Sequence, residues 1–274
     1  LPIGIKDNIN TKYLSTNYGL KIKKNFKVGN NANIVSKILN KNGIIFSKTI
    51  CAEFAVHHID SKLNINPHNK NHIAGTSSTG SAIAVACGAL PVALGTQTAG
   101  SIIRPASFCG VYGFKPTFGA IDRTGILKNN DLFDTVGFIS NEIQFIELIF
   151  KSTINISKDH PWTKNYLLKQ SRLKNKKKIV IGYINDSLEI YKKVSPDVMN
   201  FYDNFINKIN KKFQTKLING KIFKNFHYYY DILYNKSLSY YIKNYTINKK
   251  NISKNLIKII NKGECISQKE YNEA

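Results

Sequence analysis

Long apolar runs are missing from this chain. None reaches the roughly 18 residues that cross a bilayer, and the N-terminus lacks the charged-then-apolar layout of a secretory leader. No membrane association is expected. Cysteine is scarce: Cys51, Cys87, Cys109 and Cys265 show no CxxC pairing and sit among apolar neighbours. A disulfide framework and a cysteine zinc site are thereby set aside, and free thiols suit a reducing cytoplasm. The signatures GxxxxGK[ST], GxGxxG and HExxH are absent, and the histidines have no metal-ligand spacing. His57 and His58 would point to opposite sides of an extended chain. No metal and no cofactor are expected. Acidic residues are also few, 17 against 40 basic, for a formal net charge of +23.

That charge does not by itself indicate a nucleic-acid partner. Lys is spread along both halves and accompanies heavy Asn and Ile use, as in solvated surface positions of an AT-rich coding background. The densest run, RLKNKKK from Arg172 to Lys178, reads as an exposed linker. The length and a hydrophobic content of 42% predict a globular chain with a substantial core. Both ends read as internal. The chain starts at Leu1 without an initiator Met and stops at SQKEYNEA, the first turn of a helix. A piece of a longer domain is expected.

The periodicity alternates between helix and strand. Residues 32–43 predict a helix closed by Gly43, and residues 44–49 a short buried strand. A buried helix of small residues follows over 80–90 and a core strand over 91–98. Later come a strand over 177–186, an amphipathic helix over 196–213 opened by Pro196, and two helical pieces between 225 and 262. The expectation is an α/β protein, 1–274 being one incomplete domain with its chemistry in 1–150 and a helix-and-strand portion in 151–274. A weak boundary falls between Ser152 and Lys177.

One stretch stands apart from this Lys- and Asn-rich background. GTSSTGSAIAVACGALPVALGTQTAGS, from Gly75 to Ser101, consists almost entirely of small, uncharged residues. Small residues on this scale imply close approach of backbone, either to a substrate or to more backbone. The chemistry available there is hydroxyl plus amine. Serine is a weak nucleophile unless a base lies beside it. A lysine becomes that base when burial lowers its pKa, and Lys6 ends the apolar run PIGIK. Gly100 precedes Ser101 in a TAGS turn whose successive N–H groups suit an oxyanion. Ser77 and Ser78 precede a helix start, whose oriented N–H groups add to the site; the duller reading makes them N-caps. A Ser-His-Asp triad is not excluded by spacing, but no GxSxG elbow anchors one.

Three separated motifs, PIGIKDN, GTSSTGSA and GTQTAGSIIRPASFCGVYGFKPTFG, resemble the amidase signature family in the right order. The likeness is close over about 1–150 and loose at GECISQKEYNEA. It implies an α/β/α fold around a large mixed sheet, longer at both ends than this chain, and a Ser–cis-Ser–Lys triad that hydrolyses amides or transfers their ammonia. By motif, Ser101 matches the nucleophile, Ser77 the bridging serine after a cis peptide, and Lys6 the base. The N–H groups of Thr98, Ala99 and Gly100, with Ser101, match the oxyanion site. Ser78 is either structural or an assisting hydrogen-bond partner on the substrate-binding side. Thr76 and Thr79 stand where the family has glycine, Ala99 replaces a common glycine, and Gln97 stands where many members have Asp. The last two together resemble a malonamidase-type branch. There Arg104 would hold a substrate carboxylate through paired N–H···O bonds, or else brace the loop.

These features favour a free-standing cytoplasmic hydrolase of a small carboxamide, one bearing a carboxylate if Arg104 faces the pocket; a homodimer is left open. The alternative is the glutaminase-like A subunit of a tRNA-dependent amidotransferase, which works in a complex with tRNA. A third reading is a basic RNA-binding relative that has lost catalysis. It is the weakest, because aromatic–basic interleaving is missing and the three triad residues are retained.

Overall fold

The computed structural model describes residues 1–20, 27–56, 61–154, 179–184, 194–243 and 252–274. The expected linker at 172–178 and the His57–His58 pair lie outside the described residues. The chain divides into two compact units, Leu1–Asn165 with Ile232–Glu273, and Tyr166–Asp231 with Ala274. The region after residue 150 is thus shared between the units instead of forming one contiguous portion.

The first unit holds a five-stranded mixed sheet in the order β2-β1-β3-β5-β4. Its strands are β1 (Pro2–Lys6), β2 (Ile44–Thr49), β3 (Val92–Gln97), β4 (Tyr112–Phe114) and β5 (Thr135–Ser140). β1 runs parallel to β2 and β3, while β5 is antiparallel to both β3 and β4. Alternation along each strand sends side chains to opposite faces. Ile3, Ile5, Val92, Leu94, Val136 and Phe138 pack with α1 (Asn33–Leu39) and α4 (Ile143–Thr153). Ala93 and Ile139 face the other way, into a cluster with Ala82 and Val85 of α2 (Thr79–Ala86) and Ala106 of α3 (Ile103–Phe108). The sheet is therefore covered on both faces.

The second face explains the small-residue stretch. A Cβ on Gly95 would lie 3.0 Å from Ser78 Oγ, and one on Gly80 would lie 2.5 Å from Ile50 N. The protein itself comes close to these glycines, the second of the two alternatives that the sequence left open. On β5, outside that stretch, a Cβ added to Gly137 would sit 2.1 Å from the Phe114 carbonyl oxygen, which only a backbone shift relieves. Gly137→Ala is expected to cost about 2–3 kcal/mol by prising β4 from β5, measured by denaturant unfolding.

The predicted elements are present with shifted ends. The first helix stops at Leu39, and Asn42 (φ 58°), not Gly43, takes the left-handed position near its end. Asn tolerates that conformation because its side chain bonds locally. β2 is an edge strand with Ile44 and Phe46 exposed, not a buried one. α2 ends at Ala86, short of Leu90, and Gly88 (φ 72°) turns the chain.

In the second unit, β6 (Val180–Ile184) pairs in parallel with β7 (Gln214–Ile218), and α5 spans Pro196–Asn210 with Pro196 at its first turn. Helices α6 (Phe226–Ile242), α7 (Lys254–Cys265) and α8 (Gln268–Glu273) complete the chain. Among the described residues no helix is long and apolar enough to cross a membrane.

Candidate active site

β1 and β3 run in parallel, so their C-terminal ends open at the same edge of the sheet, where open α/β folds place ligands. Lys6 ends β1 there and is fully buried. Its Nζ donates to Ser77 Oγ at 2.8 Å, to Thr96 Oγ1 at 2.8 Å and to Thr96 O at 3.2 Å. Burial lowers its pKa from 10.5 to about 8, against the opposing pull of the Cys51 and Asp134 side chains. An amine taken out of water favours its neutral form. Close to neutral pH this amine can therefore exchange a proton with the Ser77 hydroxyl.

Ser77 follows a cis Thr76–Ser77 peptide, as expected, and is fully buried. Ser78 occupies the N-cap position of α2 but makes no side-chain cap bond. Its hydroxyl donates to Thr96 O at 3.3 Å and its N–H to Ser101 O at 3.2 Å. It thus joins α2 to β3 through its hydroxyl and to the Ser101 turn through its N–H.

Ser101 lies in the turn between β3 and α3, and the Gln97 amide holds that turn. Gln97 Oε1 accepts from Ile102 N at 2.9 Å and Ile103 N at 3.1 Å, while Nε2 donates to Ala99 O at 2.8 Å. Among the described residues, the N–H groups of Thr98, Ala99, Gly100 and Ser101 make no backbone hydrogen bond. A run of adjacent donors is left uncommitted beside the Ser101 hydroxyl. Thr98 is anchored through its side chain, Oγ1 donating to Asp134 Oδ1 at 2.6 Å.

An unbroken Lys6–Ser77–Ser101 hydrogen-bond chain is not what the structure contains. The Lys6–Ser77 link is present, but among the described residues no hydrogen bond joins the two serine hydroxyls. Ser77 Oγ accepts from Lys6 Nζ, and its own hydroxyl proton is left for another partner. Such contacts commonly tighten only when substrate arrives.

Arg104 is directed at protein backbone. Its Nε and Nη2 donate to Thr76 O at 3.2 and 2.9 Å, which matches the bracing alternative. Sequence reasoning passed over Thr96, Asn8 and Asp134. Asn8 Nδ2 donates to Thr96 Oγ1 at 2.9 Å, so Thr96 gathers both Lys6 and Asn8. The available signal was a threonine inside the wholly buried strand VALGTQ and a lone acid ahead of TVGFIS. A cavity of about 570 Å³ opens beside these groups, lined among others by Asn8, Thr96, Thr98, Arg123 and Asp134.

The profile of the family described as Amidase matches residues 1–271. The chain belongs to the Amidase family. This Amidase-family chain is 40% identical over 147 residues to the A subunit of a glutamyl-tRNA(Gln) amidotransferase from Halothermothrix orenii, covering 52% of the chain and 31% of the relative. It is 32% identical over 221 residues to the protein of the same name from Pseudothermotoga lettingae, covering 79% of the chain and 45% of the relative. Its fold matches a solved structure described as an amidase with a TM-score of 0.82 at 22% identity, covering all of this chain and 60% of that one. The chain thus spans less than half the length of these curated relatives.

Proposed function

We propose that this Amidase-family protein hydrolyses a carboxamide C–N bond through an acyl-enzyme on Ser101. The observation that carries the reading is the buried Lys6 amine, with its pKa lowered to about 8, 2.8 Å from Ser77 Oγ. Neutral Lys6 takes the Ser77 proton as Ser77 takes the Ser101 proton, and Ser101 Oγ attacks the amide carbon. The tetrahedral oxyanion is stabilised by N–H groups from Thr98 to Ser101. The proton returns to the departing nitrogen, ammonia or an amine leaves, and water hydrolyses the acyl-serine.

The experiment is ammonia release from L-glutamine, L-asparagine, malonamate and propionamide as a function of pH. Burial disfavours charged Lys6, so kcat/KM is expected to rise through a single ionisation near pH 8 and level off above it. Turnover that is flat from pH 6 to 9 counts against Lys6 as the base.

The glutaminase component of an amidotransferase is the second reading. The relatives named as A subunits of glutamyl-tRNA(Gln) amidotransferases favour it at 32–40% identity. It would make glutamine the amide and add partner proteins and tRNA. Turnover of glutamine alone among the four amides, together with copurifying partner proteins, selects this reading; broad amide turnover by the isolated protein selects the free-standing hydrolase.

The malonamidase-like variant of the first reading depends on Arg104 binding a carboxylate. The bonds from Arg104 to Thr76 O support a brace for the backbone that carries Ser77. Arg104→Lys, which cannot reproduce the paired donation, is therefore expected to lower kcat/KM on malonamate and propionamide by the same factor, roughly tenfold. A loss confined to malonamate would restore the carboxylate role.

A further inference from the structure

Asp134 lies immediately before β5 and has no part in the chemistry above. Its Oδ2 accepts the N–H groups of Asn129 at 2.7 Å and Asn130 at 3.0 Å, and its Oδ1 accepts the Thr98 hydroxyl at 2.6 Å. Asn130 Oδ1 in turn accepts from Leu132 N and Phe133 N, and Arg123 donates to the carbonyls of Asn130 and Asp131. The carboxylate is thus held by a rigid turn on one side and presents one oxygen to Thr98 on the other. Thr98 begins the 98–101 segment, whose N–H groups make no backbone hydrogen bond among the described residues.

We propose that Asp134 is a positioning residue for this segment, gripping the Thr98 hydroxyl so that the N–H groups of 98–101 stay fixed around the nucleophile. The inference rests on the acyl-enzyme reading. Two bonds to backbone N–H groups set the direction of the carboxylate, and a charged acceptor strengthens the third bond. Gln97 holds the far end of the same turn through Ala99, Ile102 and Ile103. The segment is clamped at both ends, by Asp134 at Thr98 and by Gln97 beyond it.

Asp134 also acts through its charge. Asp134 lines the same cavity as Arg123 and as Thr96, the hydrogen-bond partner of Lys6, and the charges of Cys51 and Asp134 oppose the lowering of the Lys6 pKa by burial. A negative Asp134 favours protonated Lys6, so neutralising it shifts the deprotonation of Lys6 to lower pH. A side chain with a purely structural role would leave that titration in place.

The test uses a fluorophosphonate probe, which needs the same nucleophile and oxyanion site. Ser101 Oγ bonds to phosphorus, the P–F bond breaks, fluoride leaves, and the serine proton passes to Ser77 and Lys6. Asp134→Asn and Thr98→Val are each expected to slow labelling of Ser101 by about 10- to 100-fold. The double variant should be no slower than the slower single, because both remove one contact. Thr98→Ser, which keeps the hydroxyl, should label within about threefold of wild type. The acidic limb of the labelling rate should move to lower pH in Asp134→Asn but not in Thr98→Val.

Wild-type labelling rates in an Asp134→Asn protein that melts like wild type overturn the proposal. So does Thr98→Ser labelling as slowly as Thr98→Val. If Asp134→Asn does not fold, the Thr98 pair decides alone, and unchanged labelling of Thr98→Val overturns the clamp. A wild-type protein left unlabelled at Ser101 brings down the acyl-enzyme reading itself, and the clamp with it.

Discussion

Ser101→Ala is expected to lower amide turnover at least 10⁴-fold, roughly the loss seen when a serine nucleophile is removed from a working relay. The loss should fall on kcat, since Ala keeps the turn that Gln97 holds and Ser101 is a small side chain in a buried site. No acyl-serine peptide should be recovered after rapid quenching of the variant, whereas wild type should yield one at Ser101. Residual turnover within about tenfold of wild type would remove Ser101 from the reaction. Ser77→Ala should also be severe, but it leaves the nucleophile in place and can admit a water between Lys6 and Ser101.

Lys6→Met has the second large effect, with two separable readouts. Activity is expected to fall by about 10³- to 10⁴-fold, at the upper end of what a general base contributes. The ionisation near pH 8 should vanish from whatever turnover remains. Stability should move the other way at neutral pH. In wild type the folded pKa of Lys6 is about 8 and its unfolded value is 10.5, so the unfolded chain binds more protons between these limits. Unfolding free energy therefore rises with pH from about 8 to 10.5 and is lowest below 8. Lys48 contributes in the same direction, its pKa lowered to about 8 chiefly by burial. Lys6→Met removes the Lys6 share, so part of the rise disappears and the variant gains stability at pH 7. Denaturant titrations of both proteins at pH 7 and 10.5 read this directly. An unchanged rise in Lys6→Met would mean that Lys6 is not neutralised by the fold.

Local pattern carried a good deal of this molecule. Helix and strand periods located α1, α2, β2, β3, α5 and the helices near the C-terminus to within a few residues, because each period follows from which face must be buried. The ends were less legible. Asn42 takes the left-handed turn, and Gly43 is needed for space instead: a Cβ there would meet the Ile38 side chain at 2.5 Å, a contact no local pattern contains. The edge position of β2 was equally hidden, since IIFSKT is as apolar as a central strand and only pairing order exposes one side of it.

The sequence by itself determined the family, the three candidate residues Lys6, Ser77 and Ser101, and that backbone between Gly75 and Ser101 approaches something closely. Those follow from residue identity and order along the chain. The tertiary structure alone decided what surrounds them. Lys6 and Thr96 are 90 positions apart and meet because β1 and β3 are parallel neighbours. Asp134 reaches Thr98 because β5 pairs antiparallel with β3, with Gln97 opposite Thr135, which brings the start of one strand to the end of the other. Arg104 bonds to Thr76 O because α3 turns back over the Ser77 segment. Hydrogen bonds and desolvation depend on distance in space, and a chain that lists its residues in order does not record which strands lie side by side.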